Sequence, residues 1–256
     1  MRIVFSTERN VIMQLRHFVF LIILVQLFFS CRSIDHLADT KAKTIRVVNI
    51  PPDSLMTSIT TPYKVKMELK MNEIIAQVEE MMTKERPESK LTNWVADALY
   101  NQAKKYFNEE IAFAYQNFGG IRIPSLSPGA LTIGKIFELM PFDNTLVLVK
   151  MKAEELVKFI DYIAEIEGGP TSSNIKLVIL NKKVESLLLN QKPIDYTKEY
   201  LVAMPDYIAN GGDNQSYLID NERIDKHVLL RSVLIDEAIE QKILKSNLDQ
   251  RIVVKK

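Results

Sequence analysis

The order of helix-like and strand-like segments most strongly limits what this chain can fold into. Apolar residues recur at three and four positions in "ESKLTNWVADALYNQAKKYF", "KAEELVKFIDYIAEI" and "VLLRSVLIDEAIEQKIL", which predicts amphipathic helices, and "LTIGKIFELM" predicts a shorter helix. Short apolar runs predict strands at "TIRVVNI", "IAFAYQ", "NTLVLVKM", "IKLVIL", "VESLLL", "EYLVAM" and "QRIVVKK". Because helices and strands do not alternate strictly, as they would in βαβ units, we expect an α+β fold of packed sheets and helices.

The first thirty residues differ in character from the rest of the chain. Three arginines, Arg2, Arg9 and Arg16, precede the apolar run "FVFLIILVQLFFS" at Phe18–Ser30. A membrane-spanning helix needs about 20 apolar residues, so this run is too short to be one. A positive flank before a short apolar run is typical of a secretory signal, and we assign residues 1–30 to a signal peptide.

The only cysteine of the chain, Cys31, follows the apolar run directly and precedes the polar stretch "RSIDHLADTKAK". This arrangement is similar to a bacterial lipoprotein signal, in which the cysteine carries the lipid, and residues 31–50 then form a tether. Phe28 is bulkier than the residue usual three positions before such a cysteine, so a buried Cys31 after a cleaved or anchoring segment remains the alternative. Met13 is an alternative start. We expect an exported, membrane-anchored lipoprotein on the periplasmic or cell-surface side.

Charge and histidine content exclude several classes of function. The chain has 33 basic and 32 acidic residues, so it lacks the basic excess that nucleic-acid binding requires. It has three histidines, whereas a two-metal phosphatase centre needs several His, Asp and Asn ligands. The metal and nucleotide motifs HExxH, CxxC and GxxxxGK[ST] are absent from the sequence. We therefore expect no metal, no cofactor and no catalytic residue in this chain.

Four segments carry polar or aromatic residues that could share one pocket. The first is "RPESKLTNWVADAL", in which Asn93 and Asp97 are four residues apart and so share a helix face, with Arg86 and Glu88 just before the helix. Taken alone, this segment is better interpreted as a capped helix with a solvated polar face.

The other three segments combine glycine pairs with aromatic residues. "NFGGIR" follows a predicted strand, where glycines allow the backbone to approach a ligand closely. Phe142 lies in "MPFDNTLVLV", and in "YIANGGDN" Tyr207 and Asp213 bracket a glycine pair. Taken singly, these three segments are better interpreted as a tight turn, a core aromatic residue and a helix end followed by a turn.

Taken in order, the segments "ESKLTNWVADA", "NFGGIR", "PFDN" and "YIANGGD" are similar to the C-terminal domain of the 5′-nucleotidase family. The resemblance extends over residues 55–256, and we place the boundaries of the domain at 51–256. It implies a layered α/β/β/α sandwich within the α+β class. Four motifs in the family order are far more specific than any one of them.

The resemblance also implies a role for each matched residue. The base of a nucleotide or nucleoside would lie between the rings of Phe142 and Tyr207. Asn117 would bind the nucleoside and Asp213 the ribose hydroxyls. Further substrate-binding positions, on the phosphate side, on the base side and in the loops that shape the pocket, would be Arg86, Arg122, Asn144, Gly119, Gly120, Gly211 and Gly212.

In this family, a separate two-metal domain performs hydrolysis. The resemblance therefore implies the nucleotide-binding half of a split 5′-nucleotidase, with a separate metallophosphatase chain that supplies divalent metals. The alternatives are a non-catalytic surface lipoprotein that binds nucleosides or nucleotides, and a relic structural domain. Three departures from the family pattern bear on the pocket. Phe118 replaces a small residue and would narrow the pocket mouth, and Tyr207 replaces a phenylalanine and adds a hydroxyl that needs a partner. Asn214 and Gln215 replace the usual glycine and aromatic residue after the aspartate.

Overall fold

The computed structural model of the chain describes residues 16–19, 44 and 51–255. The chain divides into two compact units, Met1–Pro52 and Asp53–Lys256. In the first unit, residues 16–19 are helical and exposed. Outside the described residues lie the rest of the predicted signal peptide, Cys31 and, except for Thr44, the predicted tether 31–50. The strand predicted for Thr44–Ile50 therefore lies outside the described residues except for Thr44. No helix of the described part has the length and apolarity needed to cross a membrane.

The second unit contains six α-helices and eleven strands among its described residues. The helices are α1 (Ser54–Met71), α2 (Lys90–Phe107), α3 (Ile133–Leu139), α4 (Ala153–Glu165), α5 (Asp206–Ala209) and α6 (Leu230–Gln241). The strands are β1 (Ile74–Val78), β2 (Met82–Thr83), β3 (Ile111–Ala114), β4 (Ser125–Leu126), β5 (Gly129–Thr132), β6 (Thr145–Lys152), β7 (Ile175–Leu180), β8 (Lys183–Leu189), β9 (Glu199–Pro205), β10 (Arg223–Leu229) and β11 (Ile252–Lys255).

Helix α2 shows why the sequence forms these elements where it does. The Ser89 side chain accepts a hydrogen bond from the Thr92 amide (3.4 Å), and the Thr92 hydroxyl accepts one from the Ser89 amide (2.9 Å). This reciprocal arrangement satisfies amide groups that have no partner inside the helix. The helix ends at Asn108, which adopts the left-handed conformation (φ 57°). The predicted helix is thus confirmed, and Ser89 is its N-terminal cap.

A four-stranded sheet in the order β10-β6-β9-β3 forms the centre of the unit. Strand β6 alternates: Leu146 and Leu148 face one apolar core, while Val147 and Val149 face the other. Helices α2 and α6 contribute to the first core. Helix α4 and the three-stranded sheet β11-β7-β8 contribute to the second. The predicted α+β class is confirmed, because both antiparallel and parallel pairs occur and helices pack on both sides of the central sheet.

The polar face of α2 is not solvated, contrary to its interpretation as an isolated segment. Asn93 is fully buried, and its amide donates to Glu88 (3.0 Å) and to the Asn247 carbonyl (2.8 Å). Asp97 accepts hydrogen bonds from the buried guanidinium of Arg251 at 2.9 and 3.0 Å. The reason for the error is that the partner segment lies about 150 residues away in the sequence. These polar residues attach the C-terminal strand to α2.

Candidate functional site

The loop after β3 carries the first group of predicted site residues. Strand β3 is buried in the central sheet, and the chain then turns through a 3₁₀ segment at Phe118–Gly120. The Gly120 amide donates to the Asn117 carbonyl at 3.0 Å. A Cβ atom on Gly120 would lie 2.7 Å from Asn117 Oδ1 and would also collide with the Gln116 amide. The second glycine of "NFGGIR" is therefore required so that these two amide side chains can pack against the turn.

The loop after β9 carries the second group. Gly211 has a φ of +90°, a conformation that side chains disfavour. At Gly212, a Cβ atom would lie 2.5 Å from both the Tyr207 ring and the Tyr207 carbonyl oxygen. The glycine pair of "YIANGGDN" thus lets the chain reverse direction directly against the Tyr207 ring. Tyr207 itself is 43% exposed, so the opposite side of the side chain is open.

The "PFDN" segment is joined to the Tyr207 loop by hydrogen bonds. Asn144 Nδ2 donates to Asp206 Oδ1 at 2.8 Å, and the Thr145 amide donates to the same oxygen at 3.1 Å. Asp206 is the first residue of α5, so it directly precedes Tyr207. These bonds hold Phe142, which is 44% exposed, at a fixed position relative to Tyr207.

Together the three loops surround a cavity of about 300 Å³. Its wall combines two exposed aromatic rings, one guanidinium, one carboxylate and several amide groups: Gln116, Asn117, Gly119, Gly120, Arg122, Met140, Phe142, Asn144, Tyr207 and Asp213. Eight of these ten residues are positions that the sequence predicted for substrate binding. The structure therefore brings the predicted residues of three distant segments to one place.

The three remaining predicted residues do not lie on the cavity wall. Gly212 lies against the Tyr207 ring and carbonyl, whereas Gly211 lies against Ile219 and Ser216. Arg86 Nη1 donates to the Ile166 carbonyl (2.8 Å) and to the Gly168 carbonyl, at the end of α4. The Arg86 guanidinium also lies 4.5 Å from the centre of the Phe118 ring. Its hydrogen bonds thus fix the connection after α4.

Phe118 does not lie on the cavity wall, contrary to the expectation that it narrows the pocket mouth, because its ring packs against Lys84 and Arg86. Lys84 Nζ lies 4.1 Å from the centre of the Phe118 ring. The same ammonium group donates a hydrogen bond to the Ile121 carbonyl at 2.7 Å. Burial lowers the pKa of Lys84, and the positive charges of Arg122 and Arg86 lower it further. Among the ion pairs of residues 51–255, none contains Lys84, Arg86 or Arg122. The wall near Arg122 is therefore positively charged and attracts anions.

Arg122 and Asp213 place opposite charges on the cavity wall. The Arg122 guanidinium lies 5.5 Å from the centre of the Phe142 ring and donates to the Gly119 carbonyl at 3.2 Å. Asp213 adopts a left-handed conformation (φ 51°) and accepts a hydrogen bond from the Tyr207 hydroxyl at 3.1 Å. The hydroxyl of Tyr207 thus finds its partner inside the site.

Sequence reasoning missed three residues of this region. Gln116 and Met140 line the cavity, and Lys84 approaches it from β2 and its following turn. Gln116 directly precedes "NFGGIR" and Met140 directly precedes "PFDN". Their position next to these motifs could have identified them as cavity residues. Lys84 had no sequence signal, because only the folded chain brings it against Phe118. In residues 51–255, no group of three His, Cys, Asp or Glu side chains could hold a metal ion.

Similarity to known proteins extends over the part of the chain that contains all four motifs. The family model described as "5'-nucleotidase, C-terminal domain" matches residues 74–219. Protein UshA of Yersinia enterocolitica is 28% identical over 182 residues, which is 68% of this chain and 32% of UshA. The trifunctional nucleotide phosphoesterase protein YfkN of Bacillus subtilis is 28% identical over 155 residues, 55% of this chain and 10% of that protein. The chain thus spans about a third or less of the length of these curated relatives.

Solved structures share the fold. A 5′-nucleotidase precursor from Thermus thermophilus superposes with a TM-score of 0.66 at 25% identity, over 80% of this chain and 44% of that one. The NAD nucleotidase NadN of Haemophilus influenzae superposes with a TM-score of 0.63 at 20% identity, over 80% and 42%. The family match covers more than half of the chain and contains both glycine-pair loops of the cavity. The chain, which matches the C-terminal domain of the 5′-nucleotidases, therefore belongs to the 5′-nucleotidase family.

Proposed function

We propose that this chain is the nucleotide-binding half of a split 5′-nucleotidase. The observation that carries the proposal is the cavity itself, where two exposed aromatic rings, an arginine and a carboxylate come together from three loops. These groups suit the three parts of a nucleotide: the rings suit a flat base, the carboxylate suits ribose hydroxyls and the arginine suits a phosphate. Sequence relatives described as 5′-nucleotidases support the nucleotide as ligand class.

Each part of the ligand has a chemically suited partner on the wall. Phe142 and Tyr207 stack on the base, an interaction of about 1–3 kcal/mol per base in proteins that bind single strands. Arg122 meets the phosphate, because a guanidinium donates two parallel hydrogen bonds to phosphate oxygens. Asn117 and Asn144 offer amide groups to the base and nucleoside, and Asp213 accepts from the ribose hydroxyls.

Hydrolysis is assigned to a partner chain with two divalent metals. The sequence holds three histidines, fewer than a two-metal centre with its positioning groups requires. In this arrangement the nucleoside contacts orient the phosphate for attack by a water molecule on the partner's metals, so binding energy lowers the barrier to reaction. We further propose that residues 1–30 direct export and that lipid on Cys31 anchors the domain 51–256 to a membrane through the tether 31–50.

Calorimetric titration of the purified chain with adenosine and AMP tests the binding site. We expect Phe142→Ala and Tyr207→Ala each to weaken binding by about fivefold to 150-fold, which corresponds to the loss of one stacking contact. Tyr196→Ala is the matched control, since Tyr196 is 62% exposed and lies outside the cavity wall. Absence of binding, or equal affinities for the wild type and both cavity variants, would contradict the proposal and indicate a relic domain.

Incubation of the same preparation with AMP and Mg²⁺ or Mn²⁺ tests whether this chain binds the nucleotide while a separate chain hydrolyses it. The chain alone should release no phosphate, and release should begin when a metallophosphatase partner chain is added. Phosphate release by the chain alone would refute the split assignment. Binding of nucleosides without any partner-dependent hydrolysis would instead indicate a surface lipoprotein that only captures its ligand.

A further inference from the structure

The carboxylate of Asp213 is held by two tyrosines from different helices. Tyr207, on α5, donates to Oδ1 at 3.1 Å, and Tyr162, on α4, donates to Oδ2 at 3.4 Å. Each carboxylate oxygen therefore has its own hydroxyl partner. Both donors are neutral, so they orient the carboxylate without the neutralising effect of a salt bridge.

Asp213 adopts a left-handed backbone conformation with a φ of 51°, and the next residue, Asn214, does the same with a φ of 64°. Aspartate and asparagine are the non-glycine residues that adopt this conformation most readily. In this conformation the Asp213 carboxylate lies within hydrogen-bond distance of both tyrosine hydroxyls.

Tyr162 is well suited to hold a fixed position. Its ring contacts Tyr115 (6.5 Å between centres) and Phe159 (6.0 Å), both of which are fully buried. Burial raises the pKa of the Tyr162 hydroxyl, and although the Tyr115 hydroxyl opposes this, the charge of Asp213 adds to it. The hydroxyl therefore keeps its proton at neutral pH and remains a donor to Asp213.

Tyr162 is absent from the cavity wall, whereas Asp213 lies on it. A ligand in the cavity therefore contacts Asp213 but not Tyr162, and Tyr162 affects its binding only through the position of Asp213. A carboxylate oxygen accepts about two hydrogen bonds, so each oxygen retains one acceptor position after its tyrosine is bound. Two such positions on one fixed carboxylate match the two adjacent hydroxyls of a ribose.

We propose that Tyr162 and Tyr207 are positioning residues that orient Asp213 to bind the vicinal 2′- and 3′-hydroxyls of a ribose. This inference rests on the proposed nucleotide site and on its contact between Asp213 and the ribose, and adds the two residues that fix the carboxylate for that contact. Tyr207 then has two functions, since its ring meets the base while its hydroxyl fixes the carboxylate.

The test compares adenosine with 2′,3′-dideoxyadenosine by calorimetric titration of the full chain and of Tyr162→Phe, Tyr207→Phe and Asp213→Asn. Each Tyr→Phe change should weaken adenosine binding by about threefold to tenfold, as expected for one hydrogen bond. Tyr162→Phe should leave dideoxyadenosine binding unchanged, whereas Tyr207→Phe, which alters the cavity wall, should weaken adenosine binding more than dideoxyadenosine binding. In the Asp213→Asn background, Tyr162→Phe should have no further effect on adenosine. Tyr217→Phe is the matched control, because the buried Tyr217 hydroxyl has no hydrogen-bond partner.

The possible results separate this inference from the function on which it rests. If Tyr162→Phe weakens both ligands equally, or acts equally in the Asp213→Asn background, Tyr162 is only structural and the inference is wrong while the nucleoside site stands. If the wild-type chain binds adenosine and dideoxyadenosine equally well, Asp213 does not bind the ribose hydroxyls, and the positioning role of the two tyrosines is refuted. If it binds neither, the proposed function and the inference fall together.

Discussion

Arg251 offers the sharpest test of how this domain is held together. Its side chain is 2% exposed, and its guanidinium donates to Asp97 (2.9 and 3.0 Å), to Asp249 (2.9 and 3.1 Å) and to the Thr171 carbonyl (2.8 Å). Burial alone lowers the pKa of Arg251, but the hydrogen bonds and charges of Asp249 and Asp97 outweigh it and raise the pKa. Substitution by methionine retains most of the volume and removes every one of these interactions.

The expected loss follows from what the substitution leaves behind. Removal of one partner of a buried ion pair costs about 3–5 kcal/mol, because the remaining charge stays desolvated. Asp97 and Asp249 keep 25% and 32% exposure of their side chains, so water partly replaces the guanidinium. We therefore expect the lower end of the range, about 3 kcal/mol. For a domain of this size that corresponds to a decrease of about 6–12 °C in Tm.

Urea denaturation followed by circular dichroism measures this free energy of unfolding. Lys255→Met is the control, since Lys255 lies at the end of β11, the strand that follows Arg251, and pairs with Glu185 at 2.6 Å but is 52% exposed. Exposed ion pairs contribute at most about 1 kcal/mol, so this variant should stay close to the wild type. Equal midpoints for Arg251→Met and Lys255→Met would refute the view that the buried network attaches the C-terminal strand.

Two other substitutions test the site loop and the buried tyrosines. Gly212→Ala should displace the Tyr207 ring, because a Cβ atom would lie 2.5 Å from it; we expect at least tenfold weaker adenosine binding, and unchanged affinity would contradict the fit. Burial raises the pKa of Tyr115 well above its usual value of about 10, so the unfolded chain releases this proton first and stability should fall as pH rises above about 10. Urea midpoints between about pH 8 and pH 11 should decline less steeply for Tyr115→Phe, and parallel slopes would count against this explanation.

Sequence periodicity predicted most helices and strands because local spacing reports which face of an element is buried. The predicted helices at α2, α3, α4 and α6 and the strand at β6 all occur. Helix α1 had no such signal, since none of its residues is buried and its apolar residues face several directions. Periodicity requires a buried face, and an exposed helix does not provide one.

The residues of the site were named from motif order, but their arrangement depended on the fold. Eight predicted positions share one cavity, while Arg86 binds backbone carbonyls near the end of α4 instead. Its position relative to "NFGGIR" depends on the packing of β2 and α4, which no local spacing encodes. Likewise the polar face of α2 meets Arg251, a residue 154 positions away from Asp97.

The sequence by itself determined the family, the α+β class and the loops in which aromatic and charged residues meet glycine pairs. These properties depend on local chemistry, namely on spacing, turn residues and motif order. Only the tertiary structure decided that the hydroxyls of Tyr207 and Tyr162 each bind one carboxylate oxygen of Asp213, and that Lys84 and Arg86 pack against the Phe118 ring. Such contacts join elements far apart in the chain, and their distances arise only when the sheets and helices pack together.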